Sequence, residues 1–326
     1  MARLVTRLTR RLGIEHPVLS APMALAAGGA LAAAVTRAGG LGLIGGGYGD
    51  GDWLEREFAQ AGNTRTGCGF ITWSLAKQPN LLTAALAHRP AALMLSFGDP
   101  APFAAEIASA EIPLICQCQS LDHVRQSLDA GAAIIVAQGG EAGGHGHRRA
   151  TFPFVPEVAD LLARQSPDTL LLAAGGIADG RGLAASLMLG ADGVLVGTRF
   201  WASREALVHA RQQEAALAAT GDGTLRTSLP DIARRLDWPK PFDIRVAAND
   251  FTRRWAGRDE ALKASIEQEA PAYRAAFAAG DPDNAAVIVG EAVGLVSDVP
   301  SAGEIVTRMV DEAAVLLGER AQSFLS

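Results

Sequence analysis

Cysteine and histidine are scarce in this 326-residue chain, and neither residue type forms a metal-binding pattern. The three cysteines, Cys68, Cys116 and Cys118, are odd in number and lack the spacing of a zinc site. A disulfide framework is therefore excluded as the basis of the fold, and a reducing, cytoplasmic compartment is expected. His145 and His147 form a His-x-His pair, but the other four histidines lie in unrelated contexts, so no metal is expected.

Long apolar runs and basic clusters are also absent from the sequence. No segment reaches transmembrane length without glycine or a charged residue, and the N-terminal residues lack the uninterrupted apolar stretch of a secretory signal. The 29 basic and 35 acidic residues give a formal net charge of -6, and the basic residues are scattered. Binding to a membrane or to nucleic acid is therefore not expected. The composition favours a globular protein with a small-molecule partner.

Eight short apolar runs recur through the first two-thirds of the chain, most of them separated by an Ala- and Leu-rich amphipathic stretch. The runs are 16–20, 41–45, 67–73, 91–97, 112–117, 132–137, 170–174 and 193–197. The helical stretches are 30–37, 81–88, 102–109, 121–129, 156–164 and 182–189. This alternation is typical of a parallel sheet whose two faces are both covered. The sequence predicts an α/β fold, a closed (β/α)8 TIM barrel.

The pattern changes after residue 205. Residues 203–219 and 256–279 are rich in alanine and predict helices, and the segment between them contains three prolines without clear strand alternation. We therefore expect an inserted, mostly helical subdomain at 206–294 that covers the C-terminal mouth of the barrel. The barrel itself is assigned to residues 1–205 and 295–326, with the last helix in the position of the eighth.

Glycine-rich segments follow several of the predicted strands, where the active site of a barrel lies. The segment 137–145 carries four glycines, Glu141 and His145 directly after an apolar run. Its backbone can approach a ligand closely, and histidine is the side chain that titrates near neutral pH. Glu141 contacts a ligand or fixes the glycine loop through backbone N–H groups; both interpretations stay open. His145 is the candidate catalytic residue.

Two further glycine loops, at 175–176 and 197–198, end the predicted seventh and eighth strands. In barrels these loops commonly bind a phosphate group through backbone N–H groups. By contrast, the G-x-G-x-x-G letters at 40–45 lie within a strand, so they do not indicate a dinucleotide site. Met23, Trp73, Phe152 and Trp201 are candidate apolar walls around a planar ligand, or else ordinary core residues.

The segments 137–145, 174–205 and 16–23 together resemble the FMN-dependent nitronate monooxygenase family. The resemblance implies a TIM barrel with a helical insertion, and it implies FMN as the cofactor. It places Met23 beside the flavin and Gly143 in the same pocket, with further flavin contacts from Thr72, Gln117 and Gln138. It also implies that the phosphate is held by Gly175, Gly176, Gly197 and Thr198, and that His145 acts as the base.

The resemblance further implies the reaction. The expected activity is oxidation of an alkyl nitronate by O2 to a carbonyl compound and nitrite. The substrate would be a nitronate or a nitroalkane, and a homodimer is a possible assembly. An NAD(P)H-dependent quinone or enoyl reductase on the same scaffold is the alternative, because such enzymes share the glycine-rich histidine loop. A non-catalytic barrel that binds a phosphorylated metabolite is a third hypothesis, but it gives His145 no role.

Overall fold

The computed structural model describes residues 3–324, and eight of its strands close a parallel barrel. In chain order these strands are β1 (Val18–Ser20), β2 (Leu41–Gly45), β3 (Gly67–Ile71), β4 (Leu93–Ser96), β5 (Leu114–Cys118), β6 (Ile134–Gln138), β8 (Leu170–Ala174) and β9 (Gly193–Val196). Parallel pairing of β1 with β9, in the register Leu19 opposite Leu195, closes the ring. The predicted barrel is confirmed, and each predicted apolar run overlaps one of these strands.

Both faces of the barrel strands are buried, which explains why they are apolar runs rather than alternating sequences. One face packs inside the barrel, where Leu19, Met94 and Val136 belong to a single apolar cluster. Leu8 and Leu12 of the short helix α1 (Arg7–Leu12) join this cluster and close one end of the barrel. The other face packs against the surrounding helices.

Within the described residues, eight helices cover the outside of the barrel. They are α2 (Gly29–Arg37), α3 (Gly51–Ala61), α5 (Asn80–Ala87), α6 (Ala101–Ser109), α7 (Leu121–Asp129), α8 (Thr151–Gln165), α9 (Gly180–Met188) and α16 (Ala302–Val315). The last of these, α16, packs against both α9 and α2, which is the position of an eighth barrel helix. Two single-turn helices, α4 (Thr72–Leu75) and α10 (Thr198–Trp201), follow β3 and β9 at the mouth.

A second, antiparallel sheet joins the loop after β6 to the inserted segment. It consists of β7 (Gly144–Gly146), β11 (Asp243–Ala247) and β10 (Thr224–Thr227), with β11 in the centre. The expectation that residues between the two helical parts of the insertion lack strands is therefore wrong. Buried Ile244 and Val246 alternate with the partly exposed Asp243 and Arg245, so β11 does carry the period of a half-buried strand.

The rest of the insertion is helical and has its own small core. Its helices are α11 (Ala210–Leu217), α12 (Leu229–Ala233), α13 (Asp250–Trp255), α14 (Asp259–Ala264) and α15 (Ile266–Ala278). Phe251, Trp255 and Tyr273 pack with Ile244 and Val246 of β11 in one cluster. The boundaries 206 and 294 stay predictions, and residues 1–2 and 325–326 of the predicted barrel segments lie outside the described residues. Within residues 3–324 no helix is long and apolar enough to cross a membrane.

Candidate active site

A cavity of about 700 Å³ lies at the carboxyl ends of the barrel strands. The barrel contributes residues at or just after the ends of its strands, among them Ser96, Gln117 and Gln138. The insertion contributes the opposite wall, including Trp238 and Ile244. Loops at this end of a barrel can vary without disturbing the core, so the position is that of an active site.

Glycines form one end of the cavity, after β8 and β9. Gly175 and Gly176 have φ values of 96° and 74°, a region that favours glycine. A Cβ atom at Gly197 would meet only the Cβ of Ala21 and the Sδ of Met23, each at 3.8 Å, so the space in front of this residue is open. The next residue, Thr198, lines the cavity and accepts a hydrogen bond from the N–H of Gly290 at 2.9 Å. This open glycine cradle fits a phosphate group bound by the backbone.

His145 lies on β7 in the wall of the cavity and is hydrogen-bonded to Asp231 of α12. The distance from His145 Nε2 to Asp231 Oδ2 is 2.9 Å, and the two residues are only 8% and 4% exposed. Because an ionised carboxylate can only accept, Nε2 carries the proton and Nδ1 is the unprotonated nitrogen. Burial lowers the pKa of His145, and Asp231 opposes this shift without overcoming it. His145 is therefore neutral at pH 7 and can accept a proton.

Aromatic side chains enclose the imidazole of His145. The ring of Trp238 stacks on it, with 3.3 Å between the centroids and 9° between the planes. Trp238 Nε1 donates to the hydroxyl of Tyr48 at 3.1 Å, and Phe97 packs edge-on against Trp238. Phe97 has a φ of 66°, which is strained for an aromatic residue, so the contact is held by the surrounding packing. These contacts fix the imidazole plane and keep water from one of its faces.

The loop that carries His145 is bound from both sides. From the barrel, Gln119 Nε2 donates to Gln138 Oε1 at 2.8 Å, and Gln138 Nε2 donates to the carbonyl of His145 at 3.1 Å. From the insertion, Arg226 and Arg245 both donate to the carbonyl of Gly140, at 3.2 and 3.0 Å. Each of these buried loop carbonyls thus has a donor, and the histidine is held in one position.

Close packing requires a glycine at position 143. A Cβ atom there would lie 2.5 Å from the backbone of Val289 and Gly290, so any side chain would force the loop away from this segment. Glu141 uses its carboxylate on Thr151, whose N–H and hydroxyl donate at 2.9 and 2.8 Å. Of the two interpretations of Glu141, these bonds favour the one in which it fixes the loop.

Nine of the ten predicted site residues line this one cavity. They are Met23, Gln117, Gln138, Gly143, His145, Gly175, Gly176, Gly197 and Thr198. Thr72 is the exception, since Ile71 lines the cavity and Thr72 does not. Thr72 begins α4, and this turn of helix buries its side chain, which is 2% exposed, against Gly98. Thr72 therefore lies behind the cavity wall, and its flavin contact stays a prediction.

Two of the four predicted apolar wall residues line the cavity and two do not. Met23 and Trp201 line the cavity. Trp73 lies one layer behind it and packs edge-on against Trp238 at 5.3 Å. The expectation for Phe152 is wrong: this residue is 70% exposed on the first turn of α8 and does not reach the cavity.

The sequence of this chain matches the model of a known protein family over most of its length. The model of the nitronate monooxygenase family matches residues 5–67 and 78–312. This chain belongs to the nitronate monooxygenase family. It is accordingly an oxidoreductase, and the family is one of flavin-dependent enzymes. The chain is 35% identical over 337 residues to nitronate monooxygenase npaC of Metarhizium robertsii, an alignment that covers 92% of this chain and 91% of that protein.

Solved structures of similar proteins agree with the family assignment. FabK from Thermotoga maritima superposes with a TM-score of 0.85 at 29% identity, over 98% of this chain and 99% of its own. A nitroalkane oxidase from Streptomyces ansochromogenes superposes with a TM-score of 0.78 at 25% identity, over 98% of this chain and all of its own. These two solved structures thus share the overall fold of this chain over nearly its whole length.

Sequence reasoning missed the residues that the insertion brings to His145. Asp231, Arg234 and Trp238 lie in a segment that contains prolines and has no glycine-rich motif. Asp231 is 86 residues from His145 along the chain, so no local pattern links the two. The available signal was weak: a tryptophan and a carboxylate within one turn-rich segment.

Proposed function

We propose that this enzyme binds FMN and oxidises alkyl nitronates with O2, giving a carbonyl compound and nitrite. The observation that carries this proposal is the buried pair of neutral His145 and the Asp231 carboxylate beside a cavity whose other end is an open glycine cradle. Membership of the nitronate monooxygenase family supports the same substrate class. The flavin, when bound, would take electrons from the nitronate and pass them to O2.

The residues around the cavity fit FMN. Its phosphate would be held by Gly175, Gly176, Gly197 and Thr198, because the cradle is open and presents backbone N–H groups and a hydroxyl. Met23, Gln117, Gln138 and Gly143 line the space between this cradle and His145, and we assign them to the rest of the flavin. A single phosphate suffices for this cradle, so FMN rather than FAD is the proposed cofactor.

His145 would act on the proton of the substrate. With a neutral nitroalkane, Nδ1 takes the proton from the carbon next to the nitro group, and Nε2–H donates to Asp231 throughout. Asp231 then lies against the positive imidazolium and stabilises it. With a nitronate no proton has to be removed, and His145 orients the anion. The enclosing aromatic rings keep the imidazole in the geometry that both roles require.

Oxygen consumption and nitrite formation with a nitroalkane and its preformed nitronate test the proposed activity. Chromatography of the cofactor released by heat tests the cofactor. We expect stoichiometric FMN, with nitrite and a carbonyl compound formed from the nitronate. Release of FAD alone, or no nitrite from either substrate form, would contradict the proposal.

A reductase that uses NAD(P)H is the second candidate function. The TM-score of 0.85 with FabK favours it, because that structure matches nearly the whole chain. Anaerobic addition of NADH separates the two candidates. Rapid bleaching of the flavin absorption supports a quinone or enoyl reductase, and an unchanged spectrum supports the nitronate oxidase.

A further inference from the structure

Arg234 is a cation in an otherwise uncharged part of the cavity wall. Among residues 3–324 it is the only arginine or lysine that lines the cavity. It lies directly after α12, the helix that carries Asp231. In the described part of the chain one carboxylate residue lines the cavity, Glu141, and its carboxylate binds Thr151 near the glycine cradle. A positive charge therefore stands at the end of the cavity where His145 lies.

The guanidinium of Arg234 lacks a carboxylate partner in the described part of the chain, where no ion pair within 4.0 Å involves it. The other two arginines near this site differ: Arg226 pairs with Asp243 at 3.0 Å and Arg245 pairs with Glu291 at 2.8 Å. Arg234 instead lies over the ring of Tyr48, at 5.2 Å from the centroid. An arginine has five N–H donors, so most of them are left for a ligand.

Arg234 is linked to the imidazole through two rings. Tyr48, which Arg234 covers, accepts a hydrogen bond from Trp238, and Trp238 stacks on His145. The charge of Arg234 acts on His145 and lowers its pKa. The guanidinium and the candidate base therefore share one end of the cavity.

At the end of the cavity where His145 lies, an anionic substrate requires a nearby positive charge. Asp231 is buried and His145 is neutral, so an anion placed beside them would be repelled by the carboxylate. A guanidinium offsets this repulsion, and its planar fork matches the two oxygens of a planar oxyanion.

We propose that Arg234 binds the negatively charged –NO2 group of the substrate and makes this site select nitronates over neutral nitroalkanes. This inference rests on the proposed function for the identity of the substrate. The binding of a planar oxyanion by Arg234 can be tested without turnover.

The first experiment measures binding of sodium nitrate to the holoenzyme by titration calorimetry at constant ionic strength. Nitrate is the probe because it is a planar anion with the oxygen geometry of the nitronate group. Loss of a charged hydrogen-bond donor should weaken nitrate binding by about 10- to 100-fold in Arg234→Gln, with part of the affinity kept in Arg234→Lys. Arg235→Gln is the matched control, because Arg235 pairs with Glu267 and does not line the cavity.

The second experiment compares steady-state kinetics on the two substrate forms. In Arg234→Gln the KM for the nitronate should rise by a similar factor with kcat nearly kept, and the KM for the neutral nitroalkane should change little. The pKa seen in the pH profile for the nitroalkane should rise, because the charge that lowers the pKa of His145 is gone. A merely structural role would not produce this combination.

The outcomes separate the two proposals. Unchanged nitrate affinity in Arg234→Gln, or equal losses on both substrate forms, would overturn the role of Arg234. If the wild type forms no nitrite but binds nitrate through Arg234, the proposed function fails while the anion site stands. Flavin content and far-UV circular dichroism of Arg234→Lys and Arg234→Gln exclude misfolding as the cause.

Discussion

Replacing Asp231 with asparagine removes the charge beside His145 while leaving an oxygen that accepts the hydrogen bond from Nε2. At 2.9 Å, two unit charges interact by about 6 kcal/mol at an effective dielectric constant of about 20. This is an upper bound, because burial of both groups opposes it and keeps the pKa of His145 below its usual value. A charged hydrogen bond contributes about 1.5–3 kcal/mol net, so turnover of neutral nitroalkanes should fall about 10- to 150-fold.

The pH dependence of Asp231→Asn adds a second, independent expectation. Asp231 raises the pKa of His145, so its replacement lowers that pKa further. His145 then stays unprotonated to lower pH, and the acid side of the kcat/KM profile should move to lower pH while the plateau falls. Turnover of a preformed nitronate should fall less, because no proton is removed from it.

The assay is oxygen consumption with both substrate forms across the pH range, on protein with matched flavin content. Asp237→Asn is the control, because Asp237 is exposed and lies in the same segment as Asp231. Wild-type activity of Asp231→Asn on the nitroalkane, with an unshifted profile, would refute the reasoning that Asp231 supports the base.

Two other residues give further predictions. His145→Asn should lower turnover of nitroalkanes by about 10²–10⁴-fold and affect nitronates less, with His147→Asn as control; equal losses on both forms would leave His145 only a binding role. Because burial lowers the pKa of His145, the unfolded chain binds its proton first, so the free energy of unfolding should fall as pH drops below about 6.5. In His145→Asn, the free energy of unfolding measured by urea denaturation should depend less on pH in this range. The same pH dependence in this variant and the wild type would contradict the prediction. Gly197→Asp should fold with little FMN, because its carboxylate enters the phosphate cradle, whereas Gly197→Ala should retain more; full flavin content in the Asp variant would show that position 197 is only a turn.

The barrel was predictable because its signal is local and repeated. Each strand is a short apolar run, buried on both faces, and a glycine or polar residue follows most of them. Helix α3 was not predicted because it is not rich in alanine and leucine. Its buried face includes Leu54 and Phe58, which lie among charged residues. Strand β11 was not predicted because the prolines before it indicated a loop, although buried Ile244 and Val246 show the two-residue period of a strand.

The proposed cofactor end of the cavity was more predictable than the end at which His145 lies. Gly175, Gly176, Gly197 and Thr198 follow barrel strands directly, so the topology alone brings them together. Asp231 and Trp238 reach His145 only through the tertiary packing of the insertion on the barrel. Contacts of this kind depend on long-range geometry, which one sequence does not encode in any local pattern. Thr72 follows β3 directly, as predicted, but the short helix α4 that begins there buries its side chain, which the sequence pattern did not indicate.

The antiparallel pairing of β7 with β11 has an evolutionary consequence. His145 belongs by connectivity to the barrel, yet its backbone is paired with Ile244 of the insertion. Substitutions or length changes in the insertion can therefore alter the position and acidity of His145, the proposed proton acceptor, while the glycine loops after β8 and β9 stay intact. Relatives with this barrel could thus acquire new substrates by exchanging one segment, and the cofactor would not have to change with them.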